Sequence, residues 1–246
     1  MESRLFVFLE YIKNCARIIR RIGNDDIIHI FAHIDADGIS SAVILAKLLM
    51  GLNKAFVLNF IPQIIPQEFM EFWSRIEPRY PIFVDLGTSI PLEIMGKSDY
   101  LSTGVIVDHH IFQEDHIGDP RVLVINPRLF GIDGGSEASS SSITYLLANA
   151  FSEVIPEIKN FAKYAIVGAV GDSQDTGWRR SFIGLNKLIL EDGQKHGVIM
   201  EYEDLLFIGR GIKPLYRLLA ETFLSLIHIS EPTRPRLISY AVFCLK

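Results

Sequence analysis

The chain is short of cysteine, of net positive charge and of long apolar runs, and each shortage removes a class of protein. Two cysteines, Cys15 and Cys244, cannot staple a fold, so a disulfide scaffold is excluded and a reducing, cytoplasmic setting is the expectation. A net charge of −5 offers no global basic field; a nucleic-acid enzyme of this composition must concentrate positive charge locally or borrow it from metal ions. The most apolar stretches, residues 39–46 and 55–65, fall short of the roughly 20 residues that a spanning helix needs. The apolar opening at residues 5–9 meets Glu10 and Lys13 too soon for a signal-peptide core. No membrane is therefore expected among the partners. No P-loop, GxSxG or CxxC pattern occurs.

What the chain does have is material for a core: 246 residues, 49% of them hydrophobic and only 22% charged, which excludes disorder. Leu5, Leu9, Ile12, Ala16 and Ile19 recur at helical spacing and predict an amphipathic first helix within residues 1–23, its Arg17, Arg20 and Arg21 on a solvated face. Short apolar runs at residues 27–32, 55–60, 81–84, 105–107 and 122–125 read as strands. Helical spacing covers residues 38–50, with Gly51 as its terminating glycine, and residues 66–76, 136–150, 158–170 and 181–192; residues 91–95 form a shorter helical turn. Strands alternating with helices predict an α/β fold, a doubly wound, mainly parallel sheet with helices on both faces.

One pattern organises the chain. His33, Asp35, Asp37 and Gly38 follow the first strand, Asp85 the third, and Asp108, His109 and His110 the fourth; Gly171 and Asp172 close a nearly uncharged helix. In an open parallel sheet the carboxyl ends of the strands line the ligand crevice, so these side chains converge. Several carboxylates sharing one site raise one another's pKa unless cations neutralise them. A donor set of oxygen and imidazole without thiolate suits Mn²⁺ or Mg²⁺. His33, Asp35 and Asp37 at i, i+2, i+4 would point the same way from an extended segment, and a carboxylate can bridge two ions ~3.5–4 Å apart in phosphoester hydrolysis. Taken singly, each Asp at a strand end reads as a turn or cap. His29, His116 and His196 read as ordinary core or surface residues. The combined order is what carries the metal reading.

With these motifs the chain resembles the DHH phosphoesterase family, over roughly residues 25–220, and within it the archaeal RecJ-like exonucleases, supported by residues 32–41, 126–131, 168–175 and 207–216. The resemblance implies two divalent ions, Mn²⁺ or alternatively Mg²⁺. His33, Asp35 and Asp85 would hold one. Asp37, Asp85, His109 and Asp172 would hold the other, with Asp85 bridging. Asp108 would orient His109, and His110 would act at the scissile phosphate as acid or electrostatic stabiliser. It implies a 5′-to-3′ exonuclease on single-stranded DNA or RNA. The alternatives are an oligoribonuclease, cyclic-dinucleotide phosphodiesterase or pyrophosphatase of the same family, or a non-catalytic replisome scaffold. Single-stranded nucleic acid or a short oligonucleotide is the expected partner, with replication proteins as further candidates.

The family pattern of a second, substrate-gripping domain has no match here. Residues 224–234 and 238–245 instead match the two ends of a translated transposase-type sequencing adapter. The expected organisation is a catalytic domain at residues 1–223, ending in a helix over residues 215–223, then a non-native tail at residues 224–246. That tail is expected to be irregular, since Pro232 and Pro235 interrupt strand pairing, and the second domain is expected to be missing. Three further features have two readings. The loop 133–136 could cradle a phosphate but reads better as a turn capped by Ser136. The serine run 139–142 suits tight packing or a polar cleft wall. Arg179 and Arg180 read as a solvated pair, with Trp178 and Phe182 as rim or core rather than base-stacking groups.

Overall fold

A computed structural model describes residues 2–112, 118–205, 212–214, 217 and 239–245. The elements run α1 (Glu2–Arg21), β1 (Ile28–His33), α2 (Ala36–Gly51), β2 (Phe56–Ile61), α3 (Pro66–Ile76), β3 (Tyr80–Val84), α4 (Ser89–Gly96), β4 (Gly104–Val107), β5 (Val122–Ile125), α5 (Ser140–Asn149), α6 (Ala162–Gly171), α7 (Gly184–Lys195), β6 (Ile199–Leu205) and β7 (Ser239–Leu245).

Strands β1 to β5 form one sheet in the order β2-β1-β3-β4-β5, and every pairing within it is parallel. Alternate side chains face opposite cores, as strand geometry requires. Ile28, Ile30, Ala32, Ile82, Val84, Val105 and Val107 enter a large core with residues of α1, α2, α5, α6 and α7. Phe31, Phe83 and Ile106 enter a smaller one with Phe69 and Trp73 of α3 and Leu92 and Met95 of α4. Both faces are covered, which is why these strands read as unbroken apolar runs. After β2 the chain crosses to the other side of β1, so the order reverses between β1 and β3. Their carboxyl ends flank the crevice that such a reversal opens.

Several local expectations are corrected. Gly51 does not cap α2 in a left-handed conformation; it is the last helical residue, and a Cβ there would lie 2.8 Å from the Ile155 side chain. The positive φ falls instead on Asn53, at 53°. Ser136 does not cap a helix. Its hydroxyl donates to Asp133 Oδ2 at 2.6 Å, and α5 begins later, capped by Ser139, whose side chain accepts from the Ser142 N–H. The helix expected from residue 158 opens as a 3-10 turn, Pro156–Phe161.

The tail departs from expectation over residues 239–245 alone. Residues 239–245, expected to be irregular, pair antiparallel with β6 in a separate two-stranded sheet. The β-branched and aromatic residues Tyr240, Val242 and Phe243 have high strand propensity, and the prolines expected to interrupt it lie before it at 232 and 235. Residues 224–238 lie outside the described residues, as does the helix expected over 215–223 apart from Arg217. Among the described residues no helix is long and apolar enough to cross a membrane.

Candidate metal centre

The site grows from the ends of three strands and one helix. β1 ends on His33, and the chain turns directly into α2. Asp35 is the N-cap, with Oδ1 accepting the Gly38 N–H at 2.9 Å, and Asp37 lies in the first helical turn. The three residues thus do not share an extended segment as their spacing suggested. A tight strand-to-helix turn gathers them instead. Gly38 permits that turn by its lack of a Cβ, which would lie 2.4 Å from the His33 carbonyl oxygen. Asp85 follows β3 in the left-handed region, at φ 60°. Such a backbone is uncommon for a residue with a side chain and marks functional positions; here the Asp85 N–H donates to the Val107 carbonyl at 3.0 Å. Asp108, His109 and His110 follow β4. Asp172 is the C-cap of α6.

These residues meet. His33, Asp35 and Asp85 offer donor atoms within 4.8 Å of one another, as do Asp37, His109 and Asp172, and as do Asp85, His109 and His110. His109 Nε2 is 3.4 Å from Asp85 Oδ1, 3.6 Å from Asp172 Oδ2 and 4.0 Å from Asp37 Oδ2. His33 Nδ1 stands 2.8 Å from Asp35 Oδ2 and 3.8 Å from Asp85 Oδ2. Asp85 therefore lies between the two groups.

Asp108 differs from expectation. Its Oδ1 accepts from His110 Nδ1 at 2.8 Å and its Oδ2 from the Thr88 hydroxyl at 2.7 Å, so it orients His110 and not His109. His109 is held elsewhere: its Nδ1–H donates to the Gly134 carbonyl at 2.6 Å. That bond fixes the tautomer and turns the Nε2 lone pair into the cluster. The loop 133–136, weighed as a phosphate cradle, thus supplies an acceptor for His109.

Residues that sequence reasoning did not assign to the site complete it. The first N–H groups of α5, at Ser140 and Ser141, donate to the Asp37 carboxylate at 2.7 and 3.0 Å, and Ser140 Oγ donates to Asp85 Oδ1 at 3.0 Å. A helix N-terminus carries partial positive charge and free donors, and here both are spent on a buried aspartate. The serine run was the available signal. Thr88 and Asn126 bind Asp108 and the His110 carbonyl; Gln174 and Asn186 bind behind Asp172 and His109. Nothing in the spacing of these four marks them. Of the flanking candidates, Phe182 is core, Trp178 is 84% exposed, and Arg180 pairs with Asp175 at 2.6 Å. His29 is partly buried on β1, His196 Nδ1 donates to the Asp192 carbonyl, and His116 lies outside the described residues.

The electrostatics are those of a site short of positive charge. Burial, and then the Asp37 and Asp35 carboxylates, push Asp85 up to about 7 against the opposing pull of the nearby His109 imidazole. Burial also raises Asp37, against the Ser141 bonds. Burial would lower His109, but the Asp85 carboxylate 3.4 Å away, the Gly134 bond and the nearby Asp37 carboxylate carry it up to about 10. The Asp108 bond raises His110. Asp108 itself is opposed by burial but held below the carboxylate range by His110 and Thr88. Two buried atoms, Asp85 Oδ2 and His109 Nε2, have no hydrogen-bond partner. An unpaired buried carboxylate oxygen and imidazole nitrogen are costly, and both face the cluster's centre. A divalent cation satisfies both, so the donor set fits oxygen- and imidazole-coordinated ions.

The chain is similar to several known proteins. The model of the DHH family, N-terminal domain, matches residues 27–169. An uncharacterized protein of Methanocaldococcus jannaschii is 30% identical over 184 residues, which cover 73% of this chain and 40% of that protein. A crystal structure of exonuclease RecJ bound to manganese superposes with a TM-score of 0.57 at 19% identity, over 75% of this chain and 47% of that one. RecJ from Thermus thermophilus in complex with Mn²⁺ gives a TM-score of 0.57 at 21% identity, over 76% of this chain and 26% of that one. The chain thus spans 40% of the length of the curated relative it matches and under half of either RecJ chain.

Proposed function

The chain belongs to the DHH family, and from that premise we propose that it is a metal-dependent phosphoesterase, acting as a 5′-to-3′ exonuclease on single-stranded nucleic acid. The observation that carries the reading is the pair of unpartnered buried atoms, Asp85 Oδ2 and His109 Nε2, in a pocket of carboxylates. His33, Asp35 and Asp85 would hold one divalent ion, Mn²⁺ or Mg²⁺, and Asp37, Asp85, His109 and Asp172 a second. When bound, two such ions supply a hydroxide nucleophile at neutral pH and neutralise charge on the phosphoryl group.

The chain's own groups do the rest. Asp85 joins the two ion positions. The α5 N-terminus keeps the Asp37 carboxylate aimed inward by two N–H bonds. The His109 Nδ1–H is committed to Gly134, leaving Nε2 as the inward ligand atom. His110 is 52% exposed, open to incoming substrate, and its Asp108 bond favours the protonated form. It is placed to stabilise the phosphate's charge or to protonate the leaving oxygen. Residues 1–223 form the catalytic unit in this reading.

The test compares a labelled, 5′-phosphorylated single strand with its duplex, a dinucleotide, a cyclic dinucleotide and pyrophosphate, in Mn²⁺ and in chelator. The expected result is Mn²⁺-dependent release of mononucleotides from the single strand, with little action on duplex. Faster turnover of a dinucleotide, a cyclic dinucleotide or pyrophosphate moves the activity to those substrates. Mn²⁺ uptake without hydrolysis of any of them identifies a non-catalytic scaffold.

A further inference from the structure

Two buried amides stand behind one half of the cluster and not the other. Gln174 and Asn186 are both fully buried; neither is a candidate ligand, and burying a polar side chain is unfavourable unless its hydrogen-bonding groups are paired. Theirs are paired in one direction. The shortest N–H bonds of Gln174 Nε2 go to Asp172 Oδ2 at 2.7 Å and to the Gly134 carbonyl at 2.9 Å, with His109 Nδ1 at 3.2 Å and the Ala138 carbonyl at 3.5 Å beyond them. Gly134 is also the acceptor for His109 Nδ1–H, so its two lone pairs serve both donors. Gln174 Oε1 in turn accepts from Asn186 Nδ2 at 2.7 Å. With both N–H bonds directed at acceptors and its oxygen at a donor, the Gln174 amide has one orientation.

Asn186 lies on α7, behind Gln174. Its Oδ1 accepts from the Ser142 hydroxyl at 2.6 Å and from the Ser139 N–H at 3.3 Å. Ser139 caps α5, and the next two N–H groups of α5 hold Asp37. One branch from Asn186 therefore reaches Asp37 through the helix cap. The other reaches Asp172 and the acceptor of His109 through Gln174. These three are the members of a single candidate ion group. His33 and Asp35 are supported differently, by the Pro62 carbonyl and the Gly38 N–H, and the bonds of Asn186 and Gln174 do not lead to them.

From this we infer that Asn186 and Gln174 are positioning residues for the ion site built from Asp37, His109 and Asp172, and that α7 touches the His33–Asp35 site only through the shared Asp85, whose Oδ1 accepts from the Ser140 hydroxyl on α5. The inference rests on the two-ion reading above. Its chemistry is that of an outer shell which aims ligand atoms: loss of such partners weakens metal binding about 10–100-fold.

The experiment is calorimetric Mn²⁺ titration of the full chain and of Gln174→Met, Asn186→Asp and the double variant, with thermal unfolding of each metal-free protein as a control. Gln174→Met keeps the side chain's size and removes its donors. Asn186→Asp keeps the acceptor for Ser142 and removes the donor to Gln174, and serves if the first variant fails to fold. The expected result is two binding steps in the parent and about 10–100-fold weakening of one step alone in each variant. The double variant should be no worse than the worse single, because both act through one chain of bonds. A merely structural role would weaken both steps together, or lower the melting temperature with neither step changed, and either outcome overturns the inference. A parent that takes up no Mn²⁺ overturns the two-ion reading along with it; a parent with two steps that both persist in the variants overturns this inference alone.

Discussion

His33 and Asp35 keep 30% and 48% of their side-chain surface exposed, whereas His109 and Asp37, on the other side of Asp85, keep 6% and 1%. Of the outer pair, Asp35 is held by the nearby Gly38 N–H and His33 by the Pro62 carbonyl, and both can stay hydrated. The inner pair is held by α5, by the Gly134 loop and by amides far along the chain, and its charges face a nearly dry interior. Burial makes an electrostatic interaction stronger and an unpaired charge more costly at once. The outer half can therefore tolerate having no cation, while the inner half must gain one or redistribute protons. It is also the half whose geometry depends on distant packing.

The largest effect should come from removing the residue the halves share. Asp85→Asn is expected to abolish hydrolysis and most Mn²⁺ uptake, because it withdraws charge from both ion positions. Calorimetric titration checks this, and an unchanged stoichiometry would refute the bridging role.

Disturbing only the inner half should cost less. A Cβ at Gly168 on α6 would lie 2.2 Å from Ser141 Oγ and 2.6 Å from Asp37 Oδ1. Gly168→Ala is thus expected to destabilise the fold by about 1–3 kcal/mol, as overpacking does, and to weaken one ion step. Thermal unfolding and titration read the two effects separately; a variant with the parent's stability and both steps intact would show that the inner half is looser than its geometry implies.

The pH response should also separate the halves. In the metal-free protein Asp85 is raised to about 7 and His109 to about 10, and Asp37 and His110 are raised as well. A group raised in the folded state binds more protons there than when unfolded. Its stabilisation is complete below the unfolded pKa and lost as pH climbs through the folded one. Asp85 loses it between about 4 and 7, and His109 between about 6.5 and 10. Asp35 and Asp108, which are lowered, matter only below the carboxylate range. Chelator-treated protein should accordingly melt at a lower temperature at pH 8 than at pH 5, and Mn²⁺ should reverse the order. Equal melting temperatures across this range without metal would count against a proton-loaded inner half.

The smallest effects come from two serines close in sequence. Ser139→Ala removes the α5 cap and should cost about 1 kcal/mol. Ser136→Ala removes an exposed bond to Asp133 and should stay within about 0.5 kcal/mol, with hydrolysis within about tenfold of the parent. Denaturant titration of both checks the order, and a reversal would place the cap back at Ser136.

How much of this was legible varied with the range of the interaction. The five strands of the parallel sheet were found within a residue or so, because burial on both faces leaves apolar runs that local inspection detects. The assignment of Asp108 to His109 failed because adjacent side chains diverge after a strand, and which imidazole meets which acceptor depends on the turn. The start of α5 was placed four residues early because Asp133 and Ser136 make a cap-like turn that the helix does not follow. Residues 239–245 escaped because their partner strand, β6, carried no strand reading of its own.

By its pattern alone, this sequence determined a parallel α/β sheet and the delivery of His33, Asp85 and the Asp108–His110 triplet to its carboxyl edge. Period-two and period-3.6 burial are local properties, and strand ends in such a sheet share one edge. Only the tertiary structure decided that the first turn of α5 would hold Asp37, that Asp108 would serve His110, and that Asn186 would stand behind both Asp172 and Asp37. Each of these is a hydrogen bond between residues brought together by packing. A buried donor must find an acceptor, but the chain's order does not say which one it will be.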